Sequence, residues 1–339
     1  EAVLSCDLAN YDRYLGAGDF FGNVRLEEAG TIGTGGRGES RGDGRHVRLF
    51  EDALLVTPDY SVWADTIYQD RETGDGEAFG NVRIMEPGAK NIVTGDHANF
   101  SEKEEIAEVD VNPVLTSREQ DGGPLTSVAG VMRFYRAEDK VVMVDSVRID
   151  QDRTRARADT AVAYGQEHLV LTGAPQVSMD DSSLMMGDRI DFHYRDGQLR
   201  EVVVRGNGRM EDSAPDSLAR IYEGLPDLDV IEGDTITVEM EDEKISRTVV
   251  VGNARSQFTP QDLNDEVATN EVTGDTIIIN FRDQQVRRVK VMGNAQGSYR
   301  FAKIAAMREM LGRSKRLVDQ LARSGADSVA AADTLASMG

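Results

Sequence analysis

Two residue types stand where they could do chemistry: aspartates that open alternating segments, and asparagines that follow a glycine. Asp188, Asp234 and Asp275 each come directly after a glycine. Eighteen residues beyond each stands a Gly-Asn pair: Gly206-Asn207, Gly252-Asn253 and Gly293-Asn294. Paired carboxylates can serve as general acid and base, or hold a cation. Their regular place at segment starts points instead to Asx-type turn bonds with the local backbone. His46, His97, His168 and His193 are scattered without metal-ligand spacing. The glycine run 33–38 lacks the Lys-Ser/Thr ending of a phosphate loop. Residues 179–183, rich in Asp and Ser, lack the spacing of a calcium loop and read as a turn. No Gly-x-Ser-x-Gly elbow is present. The expectation is a protein that is not an enzyme, with no metal and no cofactor.

The markers define the elements. Asp188 to Asp234 is 46 residues, as is Gly206 to Gly252; Asp234 to Asp275 is 41, as is Gly252 to Gly293. A marker pair that moves as one block is a recurring two-stranded hairpin, the mark of a stacked β-repeat. In the first half the offset shortens to 15, from Asp7 to Gly22 and from Asp65 to Gly80. Period-two alternation gives each strand one apolar face. That face holds Ile190 and Phe192 with Val202 and Val204, then Ile236, Val238 and Met240. It continues through Ile277, Ile279 and Phe281, answered by Val289, Val291, Ala295 and Tyr299. Gly22, Gly80, Gly206, Gly252 and Gly293 read as corners where a strand passes from one sheet to the facing sheet. The expected fold is all-β, a repetitive antiparallel jellyroll with open ends over residues 1–301. Insertions fall near 28–45, 118–126 and 211–229. From Ile304, Met307, Leu311, Val318 and Leu321 the spacing turns helical, so 302–339 reads as a helical tail that covers a sheet edge.

Composition narrows the partners. The 339 residues carry a formal net charge of −22, which argues against a nucleic-acid partner and an anionic membrane surface. Cys6 is the only cysteine, so no internal disulfide forms, and it reads as a core thiol. No run of apolar residues is long enough to span a bilayer as a helix. The chain begins with Glu rather than Met, which reads as a processed or trimmed form and leaves export open.

The units Ala64-Asp65-Thr66-Ile67-Tyr68, Ala78-Phe79-Gly80-Asn81-Val82 and Gly95-Asp96-His97-Ala98 carry a resemblance. A Gly-Asp strand answered by a Gly-Asn-Val strand resembles the OstA-like family of the lipopolysaccharide transport (Lpt) system, over roughly 4–301. The resemblance implies a V-shaped jellyroll in the periplasm that conducts lipopolysaccharide from inner to outer membrane. Its interior would hold the lipid A acyl chains against the twelve apolar residues from Ile190 to Val291 named above. Edge strands would pair with other Lpt jellyroll domains, or with further copies head to tail. Greater length, strong acidity and the tail depart from the family pattern. They leave room for the periplasmic domain of an outer-membrane lipopolysaccharide assembly protein. A structural β-solenoid scaffold or adhesin segment with a filled core is the competing expectation.

Overall fold

The computed structural model describes residues 2–304, apart from 87, 89, 118–122, 180–181, 214–221, 224–227, 243, 260–267, 284 and 302. Among these, 24 strands form one continuous antiparallel sheet. In the outer parts of the stack the strands are long and pair along their whole length with the next. Ser61–Asp70 lies on Asp75–Met85, and Asp75–Met85 on Asn91–Ser101. The Gly/Arg-rich stretch near 28–45 is part of this stack: Thr31–Arg41 is laddered between Ala17–Glu28 and His46–Val56.

The long strands are interrupted near their middle, and that interruption folds the sheet. Register shifts fall between Phe21 and Val24, Phe79 and Val82, Arg205 and Gly208, and Val251 and Ala254. The residues skipped are the Gly-Asn pairs. Both members are left-handed, with φ +71° and +47° at Gly22-Asn23 and +77° and +49° at Gly252-Asn253. Glycine and asparagine adopt that region at least cost, so two in succession turn a strand without strain. Gly293-Asn294 does the same between Gln285–Met292 and Gln296–Phe301, which share Ala268–Arg282 as partner.

The aspartates have a different role from the one their position suggests. They reach across the corner to the asparagine of the answering strand and do not cap their own turn. Asn23 donates to Asp7 at 2.9 Å, Asn81 to Asp65 at 3.0 Å and Asn112 to Asp96 at 2.7 Å. Asn207, Asn253 and Asn294 donate to Asp188, Asp234 and Asp275 at 3.3, 3.2 and 3.1 Å. The backbone N–H of Asp188 donates to the Gly206 carbonyl at 2.9 Å, as Asp275 does to Gly293. The carboxylate packs so close that a Cβ on Gly252 would lie 2.1 Å from Asp234 Oδ2.

Folding at the corners produces two facing layers. Ile190, Val204, Ile236, Val250 and Ile277 sit directly opposite one another along one layer, and all five are closed to solvent. Along the other layer Val62, Ile84, Val93, Leu115, Ser127 and Ile149 form a second row. The core divides in two. One cluster runs from Val24 to Val109 and the other from Ala129 to Ile279, with Leu115 and Phe134 touching both. Cys6 is half-buried against the first. Beyond the last corner the alternation no longer buries its residues: Tyr299 is 56% exposed and Ala295 is exposed, because Gln296–Phe301 has a single ladder partner. Lys303–Ile304 pairs as a short strand with Tyr222–Glu223. The rest of the expected helical tail, with 118–122, 214–221 and 224–227 of the expected insertions, lies outside the described residues.

Gly252→Ala should lower the midpoint of chemical denaturation by the equivalent of about 2 kcal/mol, from left-handed strain and collision with Asp234. Gly297→Ala, which meets nothing closer than 3.5 Å, should leave the midpoint nearly unchanged. Equal effects in the two variants would show that the corner glycine is dispensable.

Candidate functional site

Where the two core clusters meet, the layers do not close. A cavity of about 530 Å³ lies between them, within the range of sites for small apolar ligands. One wall is the row Phe100, Ala107, Phe134, Val141, Ala163 and Leu169, each directly opposite the next. The other is Val62, Ile84, Val93, Leu115, Ser127 and Ile149. Alternating strands build both walls, because every second residue points inward. The strands are short here: Ile106–Val111 and Val114–Ser117 are separate, as are Leu125–Val128 and Val131–Tyr135. The corners in this part depart from the Gly-Asn pattern, with Asp145-Ser146 and Gly173-Ala174 left-handed in its place.

Polar groups mark the cavity at two depths. Ser127 is 1% exposed and its hydroxyl has no hydrogen-bond partner among the described residues, in an otherwise apolar row. Tyr60 and Tyr194 also line the space. Burial, helped by the charge of Glu102, pushes the Tyr60 phenol up to about 12, and burial raises Tyr194 as well. Both remain neutral donors at physiological pH. At the mouth lie Asp59, Glu86, Glu102, Glu105 and Asp139, with Arg136 and Lys140. Burial raises the Glu102 carboxyl above its ordinary range.

The apolar residues expected from the sequence lie elsewhere. Ile190, Phe192, Val202, Val204, Ile236, Val238, Ile277 and Ile279 are buried in the C-terminal cluster. Met240, Phe281, Val289 and Val291 are half-buried against it. None of the twelve lines the cavity. The cavity residues carry the same alternating signal; Val62, Ile84, Val93 and Phe100 lie in strands with intact markers, and the rest in strands whose Asp and Gly-Asn markers have decayed.

Sequence spacing also left two histidines apart that strand pairing joins. His168 stands opposite His193, their rings stacked 4.5 Å apart, and Asp191 lies two residues along the same face. His168 Nε2 is 3.2 Å from Asp191 Oδ1. The three ligand atoms lie within 4.8 Å of one another, close enough for a metal. The electrostatics oppose one: Arg189 donates to both Asp191 oxygens at 2.6 and 2.9 Å, and Arg205 donates to Oδ2. Two guanidiniums would repel a cation, so this is an ion cluster gathered around one buried carboxylate. Burial pushes the Asp191 carboxyl up, but the bonds from Arg189 and His168 and the charges of both arginines outweigh it and hold the pKa below its ordinary value.

No family model matches the sequence, and no curated protein matches it. Among solved structures, the crystal structure of LptH from Pseudomonas aeruginosa is similar at 11% identity and TM-score 0.18. That protein is the LptA-homologous periplasmic component of the lipopolysaccharide transport device, and the match covers 51% of this chain and 83% of LptH. At that TM-score no conclusion rests on the likeness. No helix among the described residues is long and apolar enough to cross a membrane.

Asp191→Ala should cost about 1 kcal/mol at neutral pH, since it removes the bonds that Arg189, Arg205 and His168 make to a buried carboxylate, while the two half-exposed guanidiniums stay solvated. A carboxyl with a lowered folded pKa stabilises above its unfolded pKa and loses that contribution as pH falls through the folded value. The variant's urea midpoint should therefore fall less between pH 5 and pH 2 than the parent's, by about the same energy. Parallel acid limbs would exclude the cluster as a stabilising element.

Proposed function

We propose that this chain is a non-catalytic periplasmic carrier that takes up lipopolysaccharide acyl chains between its two layers and passes them from inner toward outer membrane. The observation that carries this reading is the apolar cavity between the layers, about 530 Å³ in volume and walled by Phe100, Leu115, Phe134 and Ile149. Burial contributes roughly 0.8 kcal/mol per methylene, so a chain of about a dozen carbons gains on the order of 10 kcal/mol before ordering costs. Such a gain shields a lipid from water without any covalent step. Among the described residues, Val3–Ser5 and Leu8–Asp12 have only Ala17–Glu28 as ladder partner, and Gln285–Met292 has only Ala268–Arg282. Such edges accept a further strand. They support pairing with other Lpt jellyroll domains, or with a second copy head to tail. The apolar residues from Ile190 to Val291 belong to this reading as the continuation of the conduit beyond the cavity.

A filled scaffold is the second reading, and one observation favours it: Ile190, Ile236 and Ile277 are 0% exposed, so the C-terminal core leaves no space beside them. Photo-crosslinking separates the two. A light-activated residue at Leu115 or Phe134 should give lipopolysaccharide adducts, with Ile236 and Ile279 probing the closed core and Arg288 as an outward control. Adducts at Leu115 or Phe134 but not at Arg288 support the carrier. A folded protein with no adduct at any inward position is the scaffold.

A further inference from the structure

The cavity has apolar walls but an acidic mouth. Five exposed carboxylates line it, Asp59, Glu86, Glu102, Glu105 and Asp139, against two cations, Arg136 and Lys140, and one imidazole, His168. Both cations are already committed. Arg136 bonds Asp59 at 2.5 Å and lies 3.5 Å from Glu105, and Lys140 bonds Glu138 at 2.6 Å. Lys140 also sits over the Tyr135 ring, 4.3 Å from its centre. Inside, the Ser127, Tyr60 and Tyr194 hydroxyls can meet a polar atom, as can His168, which lies 3.2 Å from Asp191; Asn91, Ser117 and Gln151 also line the space, Asn91 donating to Glu86 at 3.0 Å. Ser127 is 1% exposed and has no partner among the described residues, so it has capacity for a hydrogen bond from a guest.

We propose that this site takes one hydrocarbon chain whose head group carries no net negative charge, and that the carboxylates at its mouth reject anionic heads. The inference rests on reading the cavity as an acyl site and adds selectivity to it. A chain seated along the apolar walls leaves its head among the exposed lining groups, where carboxylates outnumber cations even after Arg136 offsets Asp59 and Glu105. A carboxylate or phosphate there meets like charge at short range, and because the carboxylates are exposed that repulsion is screened by salt. An ammonium or a sugar hydroxyl meets acceptors. A phosphorylated lipid would then seat its chain only with its phosphates covered by cations.

Displacement of N-phenyl-1-naphthylamine, an uncharged fluorescent probe, tests this with competitors of equal chain length. The competitors are dodecyl maltoside, dodecyltrimethylammonium and dodecyl phosphate, each below its micelle concentration at neutral pH and low salt. Dodecyl phosphate should compete about tenfold more weakly than the other two. Raising the salt should shrink that difference in the unaltered protein. Combining Glu86→Gln, Glu102→Gln and Asp139→Asn, which leaves the partners of Arg136 in place, should bring all three within about twofold. Equal or tighter competition by dodecyl phosphate at low salt overturns the selectivity alone, as does a difference that survives both salt and substitution. Failure of the probe and of every competitor to bind overturns the acyl site itself.

Discussion

The structure depends on one contact, repeated: an aspartate side chain held by the asparagine of a left-handed Gly-Asn pair on the answering strand. A flat antiparallel sheet of this length would expose one apolar face along its whole extent. The corner removes the problem by folding every strand at the same height, so the apolar face meets itself. Glycine is required because the carboxylate fills the space a Cβ would take. Asparagine is required because it tolerates the left-handed region and supplies the donor. The three residue types are one device, which is why they travel together along the chain.

The cavity follows from where the device weakens. Between the corners at Asp96 and Asp188 the markers decay, the strands shorten, and two core clusters abut through Leu115 and Phe134. Two cores packed separately seldom fit at their junction, and the space left over is the candidate site. Further along, the rows through Ile190, Ile236 and Ile277 interdigitate without a gap. The same alternating pattern thus makes a closed interior in one part and an open one in another, and the difference lies in corner geometry more than in wall composition.

Much of this was legible in the residues. The repeated offsets of Asp and Gly-Asn fixed the hairpins, and alternation assigned the inward faces of the C-terminal strands. The aspartates were misread, because a local Asx turn and a bond across 16 or 19 residues leave the same trace in one sequence. His168 and His193 looked unrelated because only strand register brings them opposite each other. The cavity left no trace of its own: Phe134 or Leu115 alternates as Ile236 does, and whether such residues close on each other depends on the facing layer. The acidic mouth was diluted in a chain that is acidic throughout.

Each strand in this stack touches little beyond its two neighbours, and the two cores share only Leu115 and Phe134. A linear array of this kind melts by segments when the coupling between adjacent units is weaker than the units themselves. At the junction the strands are short, and among the described residues the two cores meet through Leu115 and Phe134. Drawn out from its ends by force, the molecule would therefore yield in two stages, and the same seam that leaves room for a guest would act as a mechanical fuse between its halves.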